Sequence, residues 1–206
     1  MTAIEEAARC TIRRPLDGAL GAVPGDAVFP GAAAGLISDP FEVIQGPDGG
    51  DPVRCPGELP PEPYCTEALP WTGLGLGAFV TASGAERAVD GFLLAMPPQA
   101  DKAAPPESIP GTRVVSYRLV DLPPGDPRGL GDYLDRSFRT CAKARDDGTA
   151  VAGALVGTVP SEYGASSAQV VLVRDGMHLL WATFDGSGWK KGERQRAAAV
   201  LVARLL

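Results

Sequence analysis

Apolar and polar positions settle into clear periods only in the second half of the chain. Over residues 127–144, Leu130, Tyr133, Leu134, Phe138 and Cys141 recur every three or four residues. Asp132, Asp135, Arg136, Arg139 and Lys143 fall on the other faces, so the segment predicts an amphipathic helix. Asp126 and Pro127 supply its start: an aspartate can accept from the first free amides, and proline suits the first helical position. The same periodicity turns Cys141 toward the core near the helix end.

Alternating or continuous apolar runs predict strands over residues 76–83, 88–96, 114–122, 150–159, 169–174 and 178–184. Asp175-Gly176 reads as a two-residue hairpin turn of the primed type. That turn sets Arg174 opposite Met177, Val173 opposite His178, Leu172 opposite Leu179 and Val171 opposite Leu180, with Val170 opposite Trp181. Both faces of this hairpin are apolar, so both need cover. The helix over 127–144 is one cover. A C-terminal helix over 191–206, offering Ala197, Ala198, Leu201 and Leu205, is the other. The expected fold is α+β, a largely antiparallel sheet flanked by helices.

The first 70 residues read differently. Residues 2–9 suit a short helix, with Thr2 as cap and Glu5 three residues later. From 13 to 70 the chain is broken by Pro-Gly, Asp-Gly-Gly and Pro-Pro, leaving only 32–37 and 41–45 as short ordered pieces. Ser83 to Glu86 suits a hairpin turn, and 97–110 is a proline-rich surface loop. The alternation Gly73, Leu74, Gly75, Leu76, Gly77 is no phosphate-binding loop, because no helix start or lysine of that motif follows; close backbone packing explains it better.

The length of 206 residues fits one domain, irregular over 1–70 and built of sheet and helices over 71–206. A net charge of −6 argues against a nucleic-acid surface, which would need an excess of Lys and Arg. The apolar runs are too short for a membrane helix, and the first 30 residues lack a secretion leader.

Cysteine usage then becomes decisive. Cys10, Cys55, Cys65 and Cys141 share the chain with a single histidine, His178. Close ligand pairs of the zinc type are absent, as is any C-x-x-C, so no metal and no cofactor is expected. Two disulfides in an oxidising compartment fit better, and they would order the irregular first third. Cys10 with Cys55 and Cys65 with Cys141 is the favoured pairing; Cys55 with Cys65 is its rival. The chain then reads as an ectodomain separated from its leader or membrane anchor, the alternative being a cytosolic protein with four reduced thiols.

Catalytic constellations are sparse. His178 follows a turn at a sheet end and reads as structural, and no G-x-S-x-G accompanies it. Asp132, Asp135, Asp146, Asp147 and Asp185 are the carboxylates available to a secreted hydrolase, though surface charges and caps are their simpler roles. Trp71, Tyr163 and Trp189 are the candidate ligand-binding residues, with Trp181 a further aromatic near loops. Trp189 lies in a Gly-Ser-Gly-Trp-Lys-Lys link, where packing the link onto the sheet is the simpler role.

From Val114 onward, the order is strand, helix ending in a coreward cysteine, three strands with an Arg-Asp-Gly turn, then an Ala- and Leu-rich helix. This order, with four cysteines, resembles the extracytoplasmic sensor domains of actinobacterial PknH-type receptor kinases and related secreted lipoproteins. The resemblance implies an antiparallel sheet flanked by helices, two disulfides and a cleft for a ligand. The expectation is a non-catalytic sensor or ligand-binding domain of the cell envelope. Its partner would be a small molecule, glycan or peptide, and it would meet a membrane only through an anchor outside this chain. A secreted hydrolase and a structural or partner-binding envelope protein are the alternatives.

Overall fold

The structure, a computed structural model, describes residues 12–14, 23, 25–30, 36–45, 87–98, 104–105, 108–122, 124–126, 129–147 and 151–206. Its elements in chain order are β1 (Ile12–Arg14), α1 (Gly25–Val28), β2 (Leu36–Gln45), β3 (Arg87–Ala95), β4 (Arg113–Asp121), α2 (Leu130–Cys141), β5 (Arg145–Asp147), β6 (Ala154–Val159), β7 (Ala168–Asp175), β8 (His178–Asp185) and α3 (Glu193–Leu205). The strands form one eight-stranded sheet in the order β1-β2-β3-β4-β8-β7-β6-β5. Every pairing is antiparallel.

This order has a simple origin. Strands β1 to β4 lie side by side in sequence order, and α2 then carries the chain across to the far edge. From β5 the chain steps back strand by strand until β8 closes against β4. The α+β fold with helices on both faces is therefore the one the periodicity implies.

Each face of the sheet has its own core. Under α2, Leu134, Phe138 and Ala142 pack on Val120, Leu122, Leu155, Val170, Leu172, Leu179 and Trp181. Under α1 and α3, Val28, Phe29, Ala197, Ala198 and Leu201 pack on Val115, Leu119, Val171, Val173, Leu180, Ala182 and Phe184. The alternation along β7 and β8 assigns successive residues to the two cores, as a pleated strand requires.

Strand β4 carries one charge into the first of these cores. Arg118 is 3% exposed, and its guanidinium stands 5.7 Å from the ring centre of Trp181, its neighbour across the ladder. A buried cation is costly, and the aromatic face offsets part of that cost.

Helix α2 begins three residues later than its pattern suggests. Gly129 is the N-cap in a left-handed conformation and supplies no side-chain acceptor. Asp126 performs the capping from further out, its Oδ2 accepting from the Gly131 N–H at 2.8 Å. At the other end Lys143 turns left-handed (φ 51°), and the Ala144 N–H returns to the Phe138 carbonyl at 3.0 Å. The Ala142 carbonyl accepts from Thr158 at 2.9 Å, so the helix end is sewn to β6. Gly157 permits this approach, since a Cβ there would lie 2.6 Å from the Ala142 oxygen.

Three expectations need correction. The β7–β8 turn is Gly176-Met177: Asp175 pairs with His178, Arg174 with Leu179, Val173 with Leu180 and Leu172 with Trp181. Every partner moves by two residues, which preserves the faces. The reason is conformational, because the turn places its positive φ (57°) on Gly176 as the first central residue, and Asp175 remains in the ladder.

The first 70 residues are also more ordered than their punctuation suggests, contributing β1, α1 and the ten-residue β2. Pro40 is accommodated where the β2–β3 register shifts between Pro40 and Val43, since a bulge removes the need for its missing donor. Finally, β6 starts at Ala154, four residues after the expected 150. The expected elements over 2–9 and 76–83, the turn at 83–86 within its masked part, the glycine run at 73–77 and most of 97–107 lie outside the described residues.

Candidate functional site

The end of the sheet where β4 starts and β8 finishes gathers three connections: 108–112, 160–167 and 186–192. Asp185, the last residue of β8, joins two of them through its side chain. It is 4% exposed. Its Oδ1 accepts from the Ser161 hydroxyl at 2.5 Å and from the Gly186 N–H at 2.6 Å, and its Oδ2 accepts from the Glu162 N–H at 2.8 Å. The Ser161 oxygen in turn accepts from the Tyr163 and Ala165 amides, both at 3.1 Å. One carboxylate thus organises the whole β6–β7 connection.

The β8–α3 link is fixed equally firmly. Trp189 donates its indole N–H to the Asp185 carbonyl at 2.6 Å. Its ring packs at 5.5 Å from Phe29 and edge-on at 5.8 Å from Phe184. Arg113 stands over the other side of this group, 5.2 Å from the Phe29 ring and 3.5 Å from Glu193. The glycines beside Trp189 are required by contact. A Cβ on Gly186 would sit 2.2 Å from the Thr112 carbonyl oxygen, and one on Gly188 would sit 2.0 Å from that of Gly111. Hydrogen bonds complete the join, from Gly188 N–H to Thr112 (3.0 Å) and from Gly111 N–H to the Ser187 hydroxyl (2.9 Å).

A shallow cleft opens beside the first turn of α3. Asp147, Val151, Ala154, Val156, Gln169, Val171, Arg194, Gln195 and Ala198 line it, and its interior of about 10 Å³ has room for about one water molecule. Arg194 is its distinctive group. Its Nε is buried and makes no hydrogen bond among the described residues. Burial pushes the guanidinium below its ordinary pKa, and the charge of Asp185 opposes that shift.

The sequence candidates can now be placed. Trp189 spends its ring and its N–H on the protein itself, whereas half-buried Tyr163 lies on the connection that Asp185 holds. Trp71 lies outside the described residues. Trp181 is a core residue at 5% exposure. His178 is exposed at the start of β8, opposite Asp175 and Asp121. Seven residues of strand separate it from Asp185, roughly 23 Å at 3.3 Å per residue. Ser161, Asp185 and His178 therefore do not form a triad.

The remaining carboxylates are dispersed. Asp135 and Asp146 grip Arg139 on an exposed surface at 2.8 and 3.0 Å, and Asp132 meets Arg174 at 3.4 Å. Asp147 lines the cleft. Among the described residues no group of three or more His, Cys, Asp or Glu could hold a metal ion. No helix among them is long and apolar enough to cross a membrane.

Cys141 ends α2 half-buried and is disulfide-bonded. Cys10, Cys55 and Cys65 lie outside the described residues. Pattern reading named Asp185 only as one carboxylate among several, and it missed Ser161 and Arg194 altogether. No protein-family model, no curated protein and no solved structure matches the chain.

Proposed function

We propose that this chain is a non-catalytic sensor or ligand-binding domain of the cell envelope, displayed outside the cytoplasmic membrane and stabilised by two disulfides. The observation that carries the reading is the disulfide on Cys141, because such bonds persist in oxidising compartments and are rare in the cytosol. Its favoured partner is Cys65, with Cys10 bonded to Cys55. A bridge from the end of α2 into the first 70 residues would fasten the loop-rich segment to the rigid half of the sheet. On the chain-entropy model each such bridge contributes roughly 3 to 4 kcal/mol.

The loop-bearing end of the sheet suits recognition better than chemistry. Its one buried carboxylate is occupied by three donors, and its serine hydroxyl is committed to that carboxylate. The ligand is a small molecule, glycan or peptide that meets this end, with Tyr163 the most accessible of the described aromatic candidates.

Fractionation of the native cells with an antibody to this chain tests the location. The expected result is recovery in the envelope or the medium, with loss of the signal when protease is added to intact cells. Recovery in the cytosolic fraction, protected from external protease, would overturn the proposal.

A further inference from the structure

Arg194 presents a cation for which the fold supplies no hydrogen-bond acceptor at Nε. The nearby charge is Asp185, yet its carboxylate already accepts from Ser161, Glu162 and Gly186. A desolvated guanidinium with a buried N–H is left incomplete, a costly state unless an acceptor arrives from outside. The surroundings define that acceptor. Gln169 and Gln195 bring amide donors to the same cleft, while Ala154, Val171 and Ala198 give it an apolar wall.

We propose that this cleft is a binding site for a carboxylate group, held by Arg194 with the amides of Gln169 and Gln195. The planar guanidinium fork matches the two oxygens of a carboxylate, and the apolar wall accepts the carbon that bears them. Room for about one water molecule suits a planar carboxylate entering from solvent better than a tetrahedral phosphate. Asp147 in the lining and the chain's net charge of −6 also disfavour a dianion. The inference deepens the ligand-binding reading by naming the chemistry of one contact, and it rests on that reading for its biological role.

The test is a titration of the isotope-labelled full chain, disulfides intact, with sodium acetate, with sodium chloride and sodium phosphate as matched ionic controls. The readouts are the Arg194 Nε–H and the side-chain amides of Gln169 and Gln195. Saturable shifts with acetate, at least about tenfold weaker in Arg194→Gln and also weakened in Arg194→Lys, are expected, tenfold being about the scale of one charge-assisted hydrogen bond. The amide spectra of both variants report whether they fold, and Gln195→Ala, away from the buried cation, gives a second, milder weakening. Equal or linear responses to acetate and chloride would overturn the site, as would tighter binding of phosphate. So would an Nε–H that contacts only a long-lived water and ignores acetate. Failure here leaves the envelope location standing, whereas cytosolic recovery with a working acetate site would remove the location alone.

Discussion

Replacing Asp185 by alanine removes the acceptor that holds both the 160–167 connection and the start of the β8–α3 link. Three donors lose their partner: the Ser161 hydroxyl and the amides of Glu162 and Gly186. An orphaned buried donor costs about 1–3 kcal/mol, but exposed Glu162 can rehydrate, while buried Gly186 cannot. The expected loss is therefore about 2–4 kcal/mol rather than the full sum. For a chain of this size, that corresponds to a fall in Tm of roughly 5 to 15 °C. Asp185→Asn keeps the shape and one acceptor but turns an NH2 toward donors, so its loss should be smaller, about 1–2 kcal/mol. Urea unfolding under non-reducing conditions measures both values, and hydrogen exchange at Glu162 and Gly186 locates the effect. A loss below about 1 kcal/mol for Asp185→Ala, with exchange unchanged at both amides, would refute the assignment of Asp185 as the organiser of this end.

Other perturbations follow from the same contacts. Gly188→Ala should cost more than about 2 kcal/mol in urea unfolding, because its Cβ would meet the Gly111 carbonyl oxygen, which is backbone and gives way poorly. Trp189→Ala should lose about 3–5 kcal/mol by removing the ring between Phe29 and Phe184; a change within about 0.5 kcal/mol would mean the ring is free for a ligand instead. Glu193 accepts from the Lys190 N–H at 2.9 Å, and this bond, with the charges of Arg113, Lys190 and Arg196, holds its carboxyl below the usual carboxylate range. Its contribution is then present above the unfolded value of about 4.3 and lost as pH falls through the lower folded value. Glu193→Gln should flatten the acid side of the stability curve below about pH 4.3, and an unaltered curve would count against the contact.

The elements legible in the sequence are those whose neighbours enforce a period. Helix α2 must bury Leu134 and Phe138 while exposing Asp132 and Arg139, and β7 and β8 must feed two cores at once. Strand β2 was hidden because Pro40 interrupts it, and only pairing with β3 through a register shift makes such a strand possible. The hairpin error came from treating Asp175 as a turn residue, when the ladder to His178 holds it.

Asp185 illustrates how a site escapes pattern reading. Ending the last strand at Phe184 leaves it outside the alternation. Extending that strand by one residue places Asp185 in register with Leu179, Trp181 and Thr183, where a carboxylate demands donors from elsewhere in the fold. Those donors sit 23 and 24 residues away in sequence, and no local signal announces them. Arg194 was equally silent, since a basic residue at the start of a predicted helix normally faces water.

The most direct measurement of the envelope proposal is a free-thiol count by mass spectrometry on protein isolated from its native source without reductant and alkylated at once. The expected result is no alkylated cysteine, with a Cys141 peptide linked to the Cys65 peptide and Cys10 linked to Cys55. Four alkylated cysteines would contradict the oxidising location and the role given to the bridges.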